Sequence, residues 1–152
     1  MSLGLYLHIP YCFSKCRYCD FYSHPGERGV PDAYVDALLR ELARFAPDAP
    51  LRPDTVYFGG GTPTTLSAQD LGRIFSTIEQ NFDLSHLMEY TVEAGRPDTV
   101  TRERLEVIQA AGVQRISINP QSFNDKVLEA IGAAIRRMAN AGRLCAGAGL
   151  RL

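Results

Sequence analysis

A chain of 152 residues is long enough for one domain with a hydrophobic core. Its 16 basic and 17 acidic residues leave a formal charge of −1, with no basic run or basic helical face, which argues against nucleic acid or an anionic membrane as a partner. The N-terminus Met1-Ser2-Leu3-Gly4 lacks the basic segment and long apolar run of a signal peptide, and no stretch is apolar enough to span a bilayer. The expected compartment is therefore cytoplasmic and reducing, where clustered cysteines are metal or redox ligands more often than disulfides.

The apolar run Leu5–Ile9 predicts a first strand over residues 4–9, ended by Pro10, which has no N–H for a ladder. Cys12, Cys16 and Cys19 follow at once, in the spacing C-x3-C-x2-C. They sit in a connection that runs from Pro10 to about Val30, and a loop of that length is usually functional. A first helix starts near Pro31, with Tyr34, Leu38, Leu42 and Phe45 at helical spacing, and Pro47 and Pro50 end it.

Strand two is Thr55–Phe58, running into Gly59-Gly60-Gly61-Thr62-Pro63. Helix two carries Ser67 as N-cap, Asp70 three residues on, a Leu66–Leu71 staple, and Leu71, Ile74, Phe75 and Ile78 on one apolar face. Strand three is Glu89–Glu93. Helix three spans about Thr101–Ala111, with Leu105 and Ile108 inward and Gly112 at its C-terminal cap. Strand four covers residues 114–118. Helix four follows Ser122, with Asp125 in a second capping box. After Gly132 the Ala-, Gly- and Arg-rich residues 133–152 change character; a short helix is expected over 133–141, and Cys145 lies far in sequence from the other thiols.

The expected fold is α/β, with four β-α units forming an incomplete parallel (β/α) barrel. The loops after the strands then emerge at one edge, which brings Cys12, Cys16, Cys19, the Gly59–Gly61 run, Glu93 and Gln121 to a common face.

The chemistry of those loops leaves alternatives. A closed zinc site needs four ligands. Only three thiols are local, and His8, the candidate fourth, sits where a histidine is more often packed or hydrogen-bonded. Three thiolates on a 4Fe–4S cluster would leave one iron open for a ligand. Three consecutive glycines let a ligand reach the backbone, or simply make a tight turn; no Gly-Lys-Ser/Thr follows, so the run is not a P-loop. Glu93 at a strand end can accept from a ribose diol or pair with an ammonium, or be merely solvated. Tyr6 and Tyr18 flank the cysteine loop, where an aromatic side chain can shield a cluster or stack near a nucleoside.

Together these residues resemble the radical S-adenosylmethionine superfamily, whose cysteine pattern C-x3-C-x-aromatic-C is met at Cys12, Cys16, Tyr18 and Cys19. Within it, LYLHIPYCFSKCRYC, VYFGGGTPT, YTVEAGRPD and RISINPQSFND resemble the oxygen-independent coproporphyrinogen III oxidase group, most closely its coproporphyrinogen dehydrogenase branch. The resemblance implies two cofactors, a 4Fe–4S cluster on Cys12, Cys16 and Cys19, and S-adenosylmethionine chelated to the open iron. One electron would cleave its sulfonium carbon–sulfur bond, giving methionine and a 5′-deoxyadenosyl radical for oxidative decarboxylation in porphyrin and heme biosynthesis. Gly60, Gly61 and Thr62 would bind the methionine end, Glu93 would hold the ribose, Gln121 would face the nucleoside or the substrate, and Tyr6 would lie beside the sulfonium as the catalytic candidate.

A tetrapyrrole substrate and a low-potential electron donor such as a flavodoxin or ferredoxin are the implied partners. Two departures stand out. Phe21 occupies the place of a further cysteine in the established oxidases, which is closer to relatives acting as heme chaperones. The resemblance covers about residues 5–132, four of six expected units, so residues 133–152 read as a divergent tail, and a truncation or frame shift is expected. The alternatives are thus a heme- or tetrapyrrole-binding chaperone-like protein, or an inactive truncated fragment with an uncovered sheet edge inviting self-association.

Overall fold

In the computed structural model, residues 2–25, 29–45 and 50–132 are described. Four parallel strands form the main sheet: β1 (Gly4–Ile9), β4 (Thr55–Gly60), β5 (Glu89–Glu93) and β6 (Arg115–Ser117), in that spatial order. Each strand therefore pairs with the next long strand in the chain, the winding of a barrel wall rather than of a doubly wound sheet. Helices α1 (Asp32–Arg44), α2 (Ala68–Asn81) and α3 (Arg102–Ala110) cross between them, with α1 packed on α2 and α2 on α3. A short α4 (Asp125–Ala130) follows β6. Among the described residues no helix is long and apolar enough to cross a membrane.

Side chains alternate across each strand, and partners in a parallel register share a face. Leu7, Ile9, Val56, Phe58, Tyr90, Val92 and Ile116 point to the helix side and are buried there with Leu71, Ile74, Phe75 and Ile78 of α2. Phe58, Phe75 and Tyr90 form an aromatic cluster with ring centroids 5.1–6.3 Å apart. The other face carries Tyr6, His8, Tyr57, Glu89, Thr91, Glu93 and Arg115. Parallel strands buried on both faces are apolar almost throughout; here one face is polar because it faces the barrel interior.

The helix termini follow local chemistry. Ser67 Oγ accepts from the Asp70 N–H at 3.0 Å, and Leu66 and Leu71 are both fully buried, as the expected cap and staple require. Thr101 caps α3, and Gly112 follows its C-cap at φ +74°, a conformation that suits glycine.

Several expectations are corrected. Strand two continues through Gly59 and Gly60, because His8 and Ile9 of β1 remain in register with them. The connection after β1 contains a two-residue parallel pair, β2 (Tyr11–Cys12) with β3 (His24–Pro25). Pro31 is the N-cap of α1 rather than its first residue, and Phe45 is exposed at its C-cap, while Val35 takes the buried position. The cap of α4 is Asn124, whose Oδ1 accepts from the N–H groups of Lys126 and Val127, so Asp125 is the first helical residue and Ser122 lies outside. β6 is shorter than expected and lies at an edge of the described sheet. The expected tail helix, Pro47 and Cys145 lie outside the described residues.

Candidate cofactor site

The loops leaving β1, β4, β5 and β6 converge at the C-terminal edge of the sheet, as strand order and parallel direction demand. Three contacts tie the cysteine loop to its neighbours. Cys12 Sγ lies 3.3 Å from Thr62 Oγ1 after β4. Arg96 Nη1 after β5 donates to Cys16 Sγ at 3.6 Å, and Nη2 donates to Ser14 Oγ at 2.9 Å. The Arg17 N–H donates to the Ile131 carbonyl at 3.0 Å at the end of α4, where Cys16 also packs on Leu128. Cys19 is held to the same turn by its N–H, which donates to the Cys16 carbonyl at 3.1 Å. All three thiols are free and half-buried.

The glycine run owes its composition to this crowding. A Cβ on Gly59 would sit 2.9 Å from the Tyr6 ring, and one on Gly60, at φ +108°, 2.9 Å from the Ile9 carbonyl oxygen. One on Gly61 would meet the Tyr11 carbonyl oxygen at 2.6 Å and Cys12 Sγ at 3.0 Å. The N–H groups of Gly61 and Thr62 donate to the carbonyls of Ile9 and Tyr11, both at 2.8 Å. The glycines thus let the strand end press against the cysteine loop, and two of the amides a ligand could have used are already paired.

On the polar face, Tyr6 and Tyr57 stack with centroids 6.0 Å apart and planes 19° from parallel. The Tyr57 hydroxyl donates to Glu93 Oε1 at 2.6 Å. Burial, then the bond to Glu93, pushes the Tyr57 hydroxyl from 10.0 up to about 12. Burial, followed by the Glu93 charge, raises Tyr6 as well. Both therefore stay protonated, and Tyr57 fixes one oxygen of Glu93 while Oε2 has no hydrogen-bond partner among the described residues. His8 is engaged through both ring nitrogens, Nδ1 with the Tyr6 hydroxyl at 3.3 Å and Nε2 with the Tyr22 carbonyl at 3.1 Å. Opposite, the Tyr18 hydroxyl donates to Gln121 Oε1 across the site mouth. Gln121 has φ +60°, a strained backbone for a non-glycine residue and one that clusters at functional sites.

Cys12, Gly61 and Thr62 are thus gathered together, and Cys16 is joined to Arg96. Tyr6 and Glu93 are joined through Tyr57, and Tyr18 is joined to Gln121. Two further residues belong to the site. Tyr57 is signalled in the sequence, since alternation along Thr55–Gly59 puts it on the face of Tyr6. Arg96 has no local signal, because only the docking of two loops brings it to Cys16.

No three His, Cys, Asp or Glu side chains among the described residues converge to hold a single metal ion. An iron–sulfur cluster does not need that convergence, because each thiolate binds a different iron. Three half-buried thiols on one loop, with polar N–H and O–H neighbours at two of the sulfurs, have the donor chemistry such a cluster takes.

Comparison with known proteins shows the family. The family model "Radical SAM superfamily" matches residues 6–151. The oxygen-independent coproporphyrinogen-III oxidase-like protein HemZ of Bacillus subtilis is 38% identical over 137 residues, covering 86% of this chain and 27% of that protein. The heme chaperone HemW of Escherichia coli K12 is 40% identical over 153 residues, covering 98% and 40%. The anaerobilin synthase of Escherichia coli O157:H7 is 41% identical over 128 residues, covering 81% and 28%. The solved structure of the coproporphyrinogen III oxidase HemN from Escherichia coli, titled a radical SAM enzyme, superposes with a TM-score of 0.83 at 26% identity, over 97% of this chain and 34% of that one. The chain spans 27–40% of the length of these curated relatives. The four-stranded sheet is part of a radical SAM partial TIM-type barrel, and the chain belongs to the radical SAM superfamily.

Proposed function

We propose that this chain carries a 4Fe–4S cluster on Cys12, Cys16 and Cys19 and binds S-adenosylmethionine across the ends of β1, β4 and β5, as part of a radical SAM protein acting on a tetrapyrrole. The observation that carries this reading is the contact between the cysteine loop and the glycine run, with Cys12 Sγ 3.3 Å from Thr62 Oγ1. A bound cluster supplies the electron that breaks the sulfonium carbon–sulfur bond; the chain supplies binding and orientation. The Gly61 carbonyl takes no hydrogen bond among the described residues and is available to the ligand's ammonium group. Glu93 Oε2 accepts from the ribose hydroxyls while Tyr57 holds Oε1 in place. Tyr6, stacked on Tyr57, walls the sulfonium side, and the Tyr18–Gln121 pair closes the nucleoside end.

The test is product analysis of the anaerobically reconstituted protein, given S-adenosylmethionine and a strong reductant in place of its low-potential electron donor. Methionine and 5′-deoxyadenosine in equal amounts support the reading; intact S-adenosylmethionine contradicts it.

A heme-carrier reading is favoured by the relatives named heme chaperone and by exposed aromatic side chains, Phe21 and Tyr22 after the cysteine motif and Phe123 before α4. Tight heme binding in a titration, with no cleavage of S-adenosylmethionine, would select it. Oxidative decarboxylation of coproporphyrinogen, assayed directly, would select the oxidase.

A further inference from the structure

Arg96 is a buried cation. Its residue is 6% exposed, yet it leaves the end of β5 to enter the cysteine loop rather than solvent. Nη1 and Nη2 reach Cys16 Sγ and Ser14 Oγ, and the Arg96 carbonyl accepts from the Thr99 hydroxyl at 2.6 Å, which anchors the segment. The buried Nε has no hydrogen bond. Asp98 Oδ1, at 3.7 Å, is within ion-pair range, and it is the one acidic group that near among the described residues. A guanidinium this deep costs free energy unless negative charge meets it, and one partly exposed carboxylate meets it incompletely.

The neighbours of two of the sulfurs are also unequal. Cys12 faces a neutral hydroxyl, whereas Cys16 faces a cation. Electron transfer into an iron–sulfur cluster adds negative charge. N–H groups donated to its sulfurs, and a nearby fixed positive charge, favour the reduced form and raise its potential.

We propose that Arg96 is a positioning residue for the cluster: its fork fixes the Ser14–Cys16 half of the loop, and its charge at Cys16 makes the cluster easier to reduce. This rests on the cluster reading above and adds a residue and a role to it. A loaded loop would add negative charge at Nη1 to that which Asp98 supplies near Nε.

The test compares the full chain with Arg96→Met and Arg96→Lys, each reconstituted anaerobically, by iron content, redox titration followed by electron paramagnetic resonance, and iron loss to a chelator. Arg96→Met, similar in length but neutral, should lower the midpoint potential; a tenfold loss of reduced-state preference reads as about 59 mV for one electron. Arg96→Lys should keep most of the potential, because the charge remains. It should still lose iron faster than wild type, because an ammonium cannot hold Ser14 and Cys16 as a fork does. Arg96→Met that folds but takes no iron, while Arg96→Lys takes it, also supports the proposal. A cluster in Arg96→Met with wild-type potential and wild-type iron retention overturns it. Wild-type protein that takes no iron overturns the cluster reading itself, which separates the two failures.

Discussion

The two faces of the main sheet are built from neighbouring residues and held by different physics. Phe58 and Val92 point to the helices and are fully buried, while Tyr57 and Glu93, one position away, point to the barrel interior and bond to each other. The helix side is stabilised by apolar area removed from water, in proportion to the area and without directional demands. The interior side is held by directed contacts, Tyr6 on Tyr57, Tyr57 on Glu93 and His8 on Tyr6, whose polar groups must each find a partner. Stability should therefore reside mainly on one face and ligand binding on the other, a separation that substitution can break or sharpen.

The largest effect is expected from Phe58→Ala. Phe58 is fully buried against Phe75 and Tyr90, and its truncation should cost about 3–5 kcal/mol. That is a large part of the roughly 5–15 kcal/mol of a typical domain, so the thermal midpoint should fall steeply or the cooperative transition vanish.

Next comes Gly61→Ala, whose methyl would lie 2.6 Å from the Tyr11 carbonyl oxygen. Backbone must move to admit it, for about 1–3 kcal/mol in a denaturant titration, and the displaced segment carries Cys12, so iron uptake should fall as well. Loss of stability with unchanged iron uptake would show that the glycine run does not support the cysteine loop.

Glu93→Gln should sharpen the contrast in the opposite sense. Thermal stability should change by under about 1 kcal/mol, as for most changes outside the core, while S-adenosylmethionine affinity, followed by equilibrium dialysis, should fall about tenfold. A stability loss comparable with that of Phe58→Ala would erase the separation.

The smallest effect is alkaline. Tyr34, whose hydroxyl donates to the His8 carbonyl, and Tyr57 are both raised from 10.0 to about 12, burial being the first cause in each. The folded chain keeps a proton that the unfolded chain releases near 10.0, so this stabilisation is whole below that pH and is lost as the pH rises toward about 12. The thermal midpoint should decline across that window, and Tyr34→Phe should soften the decline. An identical decline in the variant would remove Tyr34 from the explanation.

Much of this arrangement was legible in the sequence because it is locally encoded. Strand one and strand three have the bounds the sequence predicts, and Ser67 caps α2 as predicted, since apolar runs, prolines and a hydroxyl at a helix start act over a few residues. The gathering of the cysteines, the glycine run, Glu93 and Gln121 at one edge followed from β-α alternation alone. Features set by contact between distant segments were not legible. Gly59 and Gly60 continue β4 because β1 pairs with them, Val35 replaces Phe45 in the core because of how α1 lies on the sheet, and Arg96 meets Cys16 across 80 residues of chain. The choice of Asn124 over Ser122 as the α4 cap depends on which oxygen reaches two N–H groups, a matter of backbone path rather than residue type.

The measurement that bears most directly on the central claim is the iron and acid-labile sulfide content of the anaerobically reconstituted chain beside Cys16→Ala. About four irons per wild-type chain are expected, with a marked loss in Cys16→Ala whose thermal transition remains cooperative. A wild-type chain that takes up no iron, or a Cys16→Ala chain that holds as much as wild type, would contradict cluster binding by the Cys12–Cys19 loop.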